Sequence, residues 1–173
     1  QYKTCPLQYR LRVLLGFEAP CASQMGYGGA VHHMMRRVAE HTRAFGALPD
    51  GDDLDRLFDR EFYLPYADGE AWTTMEARAR SLVEAYLRDF PDDLQRVWEV
   101  ERPFELHLPH ANVSGRADVI LDREGGVAGA LALVDYKTRR VARDDAALDL
   151  QLQAYTAAAR GEGFDVRAGY LHD

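Results

Sequence analysis

Apolar residues recur at two different periods along this chain, and the period changes near Pro91. Between Tyr27 and Phe45, the residues Val31, Met35, Val38, Thr42 and Phe45 follow one another at three- or four-residue steps, the stripe of a helix with one buried face. Asp50 to Phe62 predicts a shorter helix, with Asp50 or Asp52 as its N-cap. Trp72, Met75, Ala79, Leu82, Val83, Tyr86 and Phe90 form a longer helical stripe that Pro91 ends. Pro49-Asp50-Gly51 and Pro65 to Gly69 are the turn-like joints between these helices.

Beyond Pro91 the period shortens to two. Val97 to Leu108, Ser114 to Asp122 and Val127 to Thr138 predict three strands. The turn Arg123-Glu124-Gly125-Gly126 makes the second and third antiparallel neighbours. Asp144 or Asp145 then caps a helix with Leu148, Leu152, Tyr155 and Ala159 on one side, ended by Gly161 and Gly163, and Val166 to Leu171 reads as a final strand. The expected fold is α/β: a three-strand meander, a helix and a returning strand, behind a helical N-terminal portion.

At 173 residues the chain is long enough for one domain with a real core and too short for two comfortable ones. We therefore read residues 1–173 as a single domain, helical to about residue 91 and α/β from about 92. Opening on Gln1 and stopping at Asp173, it reads as a piece of a longer protein. Hydrophobic residues at 47% and charged residues at 28% are ordinary for a soluble globular protein. No apolar run is long enough to cross a bilayer, and no signal-peptide pattern opens the chain. Cys5 and Cys21 give no disulfide framework and no four-ligand metal site. The balance of 21 basic against 28 acidic residues leaves a net charge of −7, unlike a free-standing duplex binder, which neutralises phosphates with a basic surface. If the chain acts on DNA, a partner or a local basic patch must supply most of the hold.

Chemistry concentrates in Val134-Asp135-Tyr136-Lys137-Thr138. Residues two apart in a strand share a face, so Asp135 and Lys137 project together. A carboxylate and an ammonium side by side within a sheet are expensive unless they pair or serve a ligand. Gly115-Arg116-Ala117-Asp118-Val119-Ile120 puts a second carboxylate in the neighbouring apolar strand. Two such carboxylates resist joint ionisation unless a cation lies between them. Mg²⁺ meets that need with one or two carboxylates, a carbonyl and waters. Each motif alone reads more simply as a register-fixing ion pair or a strand-end acid; the two together favour a cation site.

The order of these motifs resembles the PD-(D/E)xK nuclease superfamily: a glycine-led Asp strand, a hydrophobic-Asp-Tyr-Lys-Thr strand, then Gln151 and Tyr155 one turn apart on a helix. The nearest resemblance is to RecB-like nuclease domains of helicase-nucleases and UvrD-like helicases. Tyr27-Gly28-Gly29-Ala30-Val31-His32 resembles the family's first helix, which makes His32, with His33 as the near alternative, the metal-adjacent histidine. Glu101-Arg102-Pro103-Phe104 resembles the strand before the first catalytic aspartate, with Glu101 as a supporting or second-metal carboxylate. Thr4-Cys5-Pro6, with Tyr2, resembles the opening segment whose cysteine in some relatives joins three more around an iron–sulfur cluster; no cysteine follows Cys21 here, so the cluster is not expected.

The resemblance implies a restriction-endonuclease-like core and a Mg²⁺- or Mn²⁺-dependent deoxyribonuclease. In it, His32, Asp118, Asp135 and the backbone carbonyl of Tyr136 hold the metal, and an imidazole ligand tilts preference towards Mn²⁺. Asp118, Asp135, Lys137, Gln151 and Tyr155 form the catalytic set, with Lys137 orienting the attacking water. Arg116, Arg139 and Arg140, with Arg143 close behind, are the candidate DNA contacts, although Arg116 equally suits an ion pair with a neighbouring acid. The implied partners are single-stranded or unwound duplex DNA and helicase domains of the same or another polypeptide. The implied setting is the bacterial cytoplasm, in repair or recombination. Two other functions stay open on the sequence: a catalytically inactive DNA-binding or scaffold domain of the same fold, and a helical interaction module whose ion pairs are purely structural.

Overall fold

The computed structural model describes residues 5–17, 23–65, 67–124, 130–137 and 146–172. A short helix α1 (Pro6–Tyr9) runs into a π-helical turn (Arg10–Leu14), followed by α2 (Ser23–Phe45), α3 (Gly51–Glu61), α4 (Gly69–Asp89) and α5 (Pro91–Gln95). The sheet and its crossover helix follow as β1 (Val97–Leu108), β2 (Ala111–Asp122), β3 (Leu131–Tyr136), α6 (Ala146–Gly161) and β4 (Val166–His172). The expected α/β architecture is therefore present, meander, helix and returning strand included. The predicted caps Asp144 and Asp145 lie outside the described residues, as do positions 127–129 and 138 of the expected third strand.

Local chemistry sets the helix ends. Asp50 caps α3 by accepting from the Asp53 N–H at 2.9 Å. Pro91 ends α4 and also opens α5, because its missing N–H costs nothing in a helix's first turn. The α2 stripe is buried at Val31, Met35, Val38 and Thr42, but Phe45 is 74% exposed and rests on the His41 ring at 4.6 Å. The helix outruns the core by its last turn, and Gly46 (φ 68°) closes it.

The four strands lie in the order β1-β2-β3-β4, antiparallel except for the parallel pair β3–β4. A parallel pair needs a long crossover, which α6 supplies. All six residues of β3 are buried, because helices cover both faces of the sheet. On one face Val119, Leu121, Ala132, Val134 and Tyr136 pack against α2, α3 and α4. On the other, Ile120, Leu131 and Leu133 pack against Ala158 and Ala159 of α6.

One step breaks the alternation. Val100 and Val119 face the helical prefix, whereas Phe104 and Ala117 face the α6 side, although residues of equal parity share a face in an unbroken strand. The reversal falls where Glu101 lies across from Asp118, a pair that drops out of an otherwise continuous register from Val100↔Val119 to Arg102↔Ala117. Glu101 has φ 52°, the one positive φ outside glycine among the described residues. Such a conformation costs about 1–3 kcal/mol in a residue with a Cβ, and more in a β-branched one. Glu101→Val is therefore expected to unfold at a lower denaturant midpoint than Glu101→Gly, with the two variants separated by about 1–3 kcal/mol. Equal midpoints would show that the left-handed backbone at 101 is not held in solution.

Candidate active site

The buried carboxylate of Asp135 is the centre of the site. The residue is 4% exposed in a strand otherwise made of apolar side chains and Tyr136. Its Oδ1 accepts from Gln151 Nε2 at 3.1 Å, and the same amide nitrogen lies 3.0 Å from the Tyr155 hydroxyl oxygen. Its Oδ2 forms an ion pair with the Lys137 ammonium but accepts no hydrogen bond of normal geometry.

Asp118 joins from the neighbouring strand. The β2–β3 register runs to Val119↔Val134, and one step further sets Asp118 opposite Asp135. There the backbone ladder gives way to a side chain: Asp118 Oδ2 accepts the Tyr136 N–H at 2.8 Å. The same oxygen lies 3.4 Å from His32 Nδ1, and the His32 ring meets Tyr136 edge-on at 6.3 Å. His33, the near alternative, is turned away towards Glu61 (3.4 Å) and Arg36 (2.9 Å).

Burial pushes the Asp135 carboxyl up from its ordinary value, Lys137 and His32 pull it down, and Asp118 raises it further. The hydrogen bond to Asp118 holds the His32 imidazole above its ordinary value against the opposing effect of burial. Burial, more than the Asp118 charge, thus disfavours the ionised form of Asp135, and a bound cation would favour it.

The donor set fits a hard divalent ion. Among the described residues no three His, Cys, Asp or Glu side chains gather into a ready-made cage. Mg²⁺ does not need one, since it binds through one or two carboxylates and completes its shell with water and substrate phosphate. Asp118, Asp135 and the Tyr136 carbonyl would supply such a set, with His32 beside it.

Of the other expected residues, Glu101 and Arg116 pair with each other at 3.2 Å beside Asp118, so Arg116 is engaged by the neighbouring acid that the sequence already allowed. Arg139, Arg140 and Arg143 lie outside the described residues. Cys5 caps α1 by accepting from the Gln8 N–H at 3.4 Å. Periodicity and motif spacing did not reveal the close approach of α6 to β2: a Cβ on Gly115 would stand 2.3 Å from Tyr155 Cε1. The signal was the glycine itself, three residues before Asp118 in an otherwise regular strand. Nor did they reveal the rings at the far side of Lys137, where Phe90 stacks on His172 (4.2 Å) and the Tyr86 hydroxyl meets His172 Nδ1 at 2.7 Å.

A family model of the PD-(D/E)XK nuclease superfamily matches residues 1–173, and the chain belongs to that superfamily. No curated protein matches it. Among solved structures it is similar to the crystal structure of protein VC1899 from Vibrio cholerae, at 15% identity and a TM-score of 0.32. That match covers 84% of this chain and 42% of the other, so the chain spans less than half of that protein's length.

Gly115 tests how Asp135 is held. Gly115→Ala is expected to displace the Tyr155 ring and cost about 1–3 kcal/mol. Tyr155→Ala should recover much of that loss in the double variant. Strictly additive unfolding free energies in the four-protein cycle would mean that the two residues are not in contact.

Proposed function

We propose that this member of the PD-(D/E)XK superfamily is a divalent-metal-dependent deoxyribonuclease, a RecB-like module of a helicase-nuclease working in DNA repair or recombination. Residues 1–173 form one nuclease domain on this reading. The observation that carries it is the buried pair of Asp135 and Lys137 at the end of one strand, with Asp118 opposite Asp135 on the next.

In this mechanism Asp118 and Asp135 bind Mg²⁺ or Mn²⁺ with the Tyr136 carbonyl, and His32 flanks it. A bound metal would supply Lewis-acid stabilisation of the charge that builds on the scissile phosphate. Lys137, steadied by Asp135, orients the attacking water and sets a positive charge beside the phosphate. Gln151 fixes the Asp135 carboxylate through Oδ1, and Tyr155 holds Gln151 in turn. His32 keeps Asp118 turned towards the end of β3. Arg139 and Arg140, following the catalytic strand, supply local positive charge to a chain that is acidic overall.

Labelled single- and double-stranded DNA incubated with Mg²⁺ or Mn²⁺ should be cut by the wild-type chain. Asp135→Ala and Lys137→Ala should each lose about a hundredfold or more of that rate with an unchanged circular dichroism spectrum. Wild-type cleavage by either variant would refute the assignment.

Metal binding has a readout of its own. At a hundredfold excess over its dissociation constant Mn²⁺ should stabilise the fold by about 2.7 kcal/mol, seen as a rise in Tm, and Asp118→Ala should abolish the rise. The pH dependence follows from the raised folded-state value of Asp135. Without metal, this group's contribution to stability is fully present below the ordinary aspartate range and is lost as pH rises through the raised value. Metal needs the ionised form, so the Mn²⁺-induced rise should fade as pH drops through a midpoint above the ordinary aspartate range. A Tm rise that is flat across that interval would place the metal elsewhere.

A further inference from the structure

We infer that Tyr86 of α4 is a positioning residue, which fixes the Tyr136–Lys137 step of the chain from behind the sheet by holding both the Tyr136 side chain and His172. This rests on the nuclease reading above, in which the Tyr136 carbonyl and the Lys137 ammonium are both used. Asp135 and Lys137 project together, so the Tyr136 ring between them points the other way, into the core that α2, α3 and α4 build on the sheet. There Tyr136 is 5% exposed and meets the Tyr86 ring edge-on at 5.3 Å. The two phenol groups are hydrogen-bonded, and the Tyr86 hydroxyl also meets His172 Nδ1 at 2.7 Å.

The step needs such a hold because the sheet runs out there. β3 ends at Tyr136, and on the β2 side the Tyr136 N–H has already left the ladder for the Asp118 carboxylate. On the β4 side the Lys137 N–H donates to the His172 carbonyl at 2.8 Å, and His172 is itself the last residue of β4. The end of a strand frays unless something ties it down. The His172 ring is tied to α4: it stacks on Phe90 at 4.2 Å, with 19° between the planes, besides its hydrogen bond to Tyr86. Tyr86 and Phe90 lie one turn apart at the end of α4 and stack on each other at 4.8 Å, so the anchor is a helix. A phenol carries one proton. The Tyr86 hydroxyl accepts from Tyr136 and so has its own proton left for His172 Nδ1. One oxygen thus joins Tyr136 to its register partner on β4, the residue whose carbonyl holds Lys137. A contact made only for packing would use the Tyr86 ring and have no need of its hydroxyl.

The test is amide hydrogen exchange read residue by residue in the full chain, beside steady-state cleavage of a labelled DNA single strand with Mn²⁺. Tyr86→Phe keeps the ring and removes the hydroxyl. It is expected to speed exchange at the Lys137 N–H about tenfold while exchange at Leu133, in the middle of β3, stays as it was. It should also lower kcat about tenfold with KM for DNA unchanged, because the reacting groups shift and the surface that binds substrate does not. His172→Phe keeps a ring to stack on Phe90 and loses the acceptor. It should match Tyr86→Phe, carries the test by itself if that variant does not fold, and should add nothing to it in the double variant. His172→Asn, whose amide oxygen reaches the place of Nδ1, should restore most of both signals relative to His172→Phe. Exchange that rises evenly through β3, or does not rise at Lys137, would overturn the positioning role. So would an unchanged kcat in both variants of a chain that cuts DNA. A wild-type chain that cuts nothing, while Lys137 exchange still responds to Tyr86→Phe, would instead fault the nuclease reading and leave the hold on Lys137 standing.

Discussion

The structure turns on one buried carboxylate. Asp135 sits in the most enclosed strand of the sheet, among residues whose burial supplies the core, and removing its charge from water costs several kcal/mol before anything offsets it. Two of its neighbours offset that cost and a third adds to it. Lys137 arrives from the same face of the same strand, Gln151 from the crossover helix, and Asp118 opposes both from the adjacent strand. Burial still outweighs these partners and disfavours the ionised carboxyl, which a bound cation would favour.

Several features that are unfavourable in isolation become intelligible as supports for that carboxylate. Gly115 weakens β2, yet only a residue without a Cβ lets Tyr155 lie against the strand and hold Gln151 in reach of Asp135. The left-handed backbone at Glu101 stores strain across from Asp118, at the step where both strands change faces. Beyond that step Asp118 stands in for a ladder acceptor and receives the Tyr136 N–H. The β2–β3 pairing therefore ends in a side chain, while β4 continues to pair with the end of β3 through His172. Strain clustered this way is characteristic of sites that a surrounding fold over-determines.

Much of this was legible in the sequence because it rests on local rules. Period-three-to-four and period-two patterns marked the helices and strands, Asp50 marked a cap, and the spacing of Asp135 and Lys137 marked a shared face. What escaped depends on distance along the chain. The stripe rule counts Leu82 and Phe45 as core, but exposure depends on where the partner helices stop, and nothing near those residues encodes that. His172 attracted no attention as an isolated histidine in the last strand, since its meaning comes from Tyr86 and Phe90 some eighty residues earlier. The second strand starts at Ala111, three residues before the alternation suggested, because the β1–β2 hairpin pairs beyond the edge of the core where neither face is buried.

The acidic balance of the chain is the remaining constraint, and it bears on how a substrate is held. A net charge of −7 repels a phosphate backbone at long range, so attraction must be local and short-ranged. On the proposed reading, a metal held between the two aspartates would provide it at the scissile phosphate.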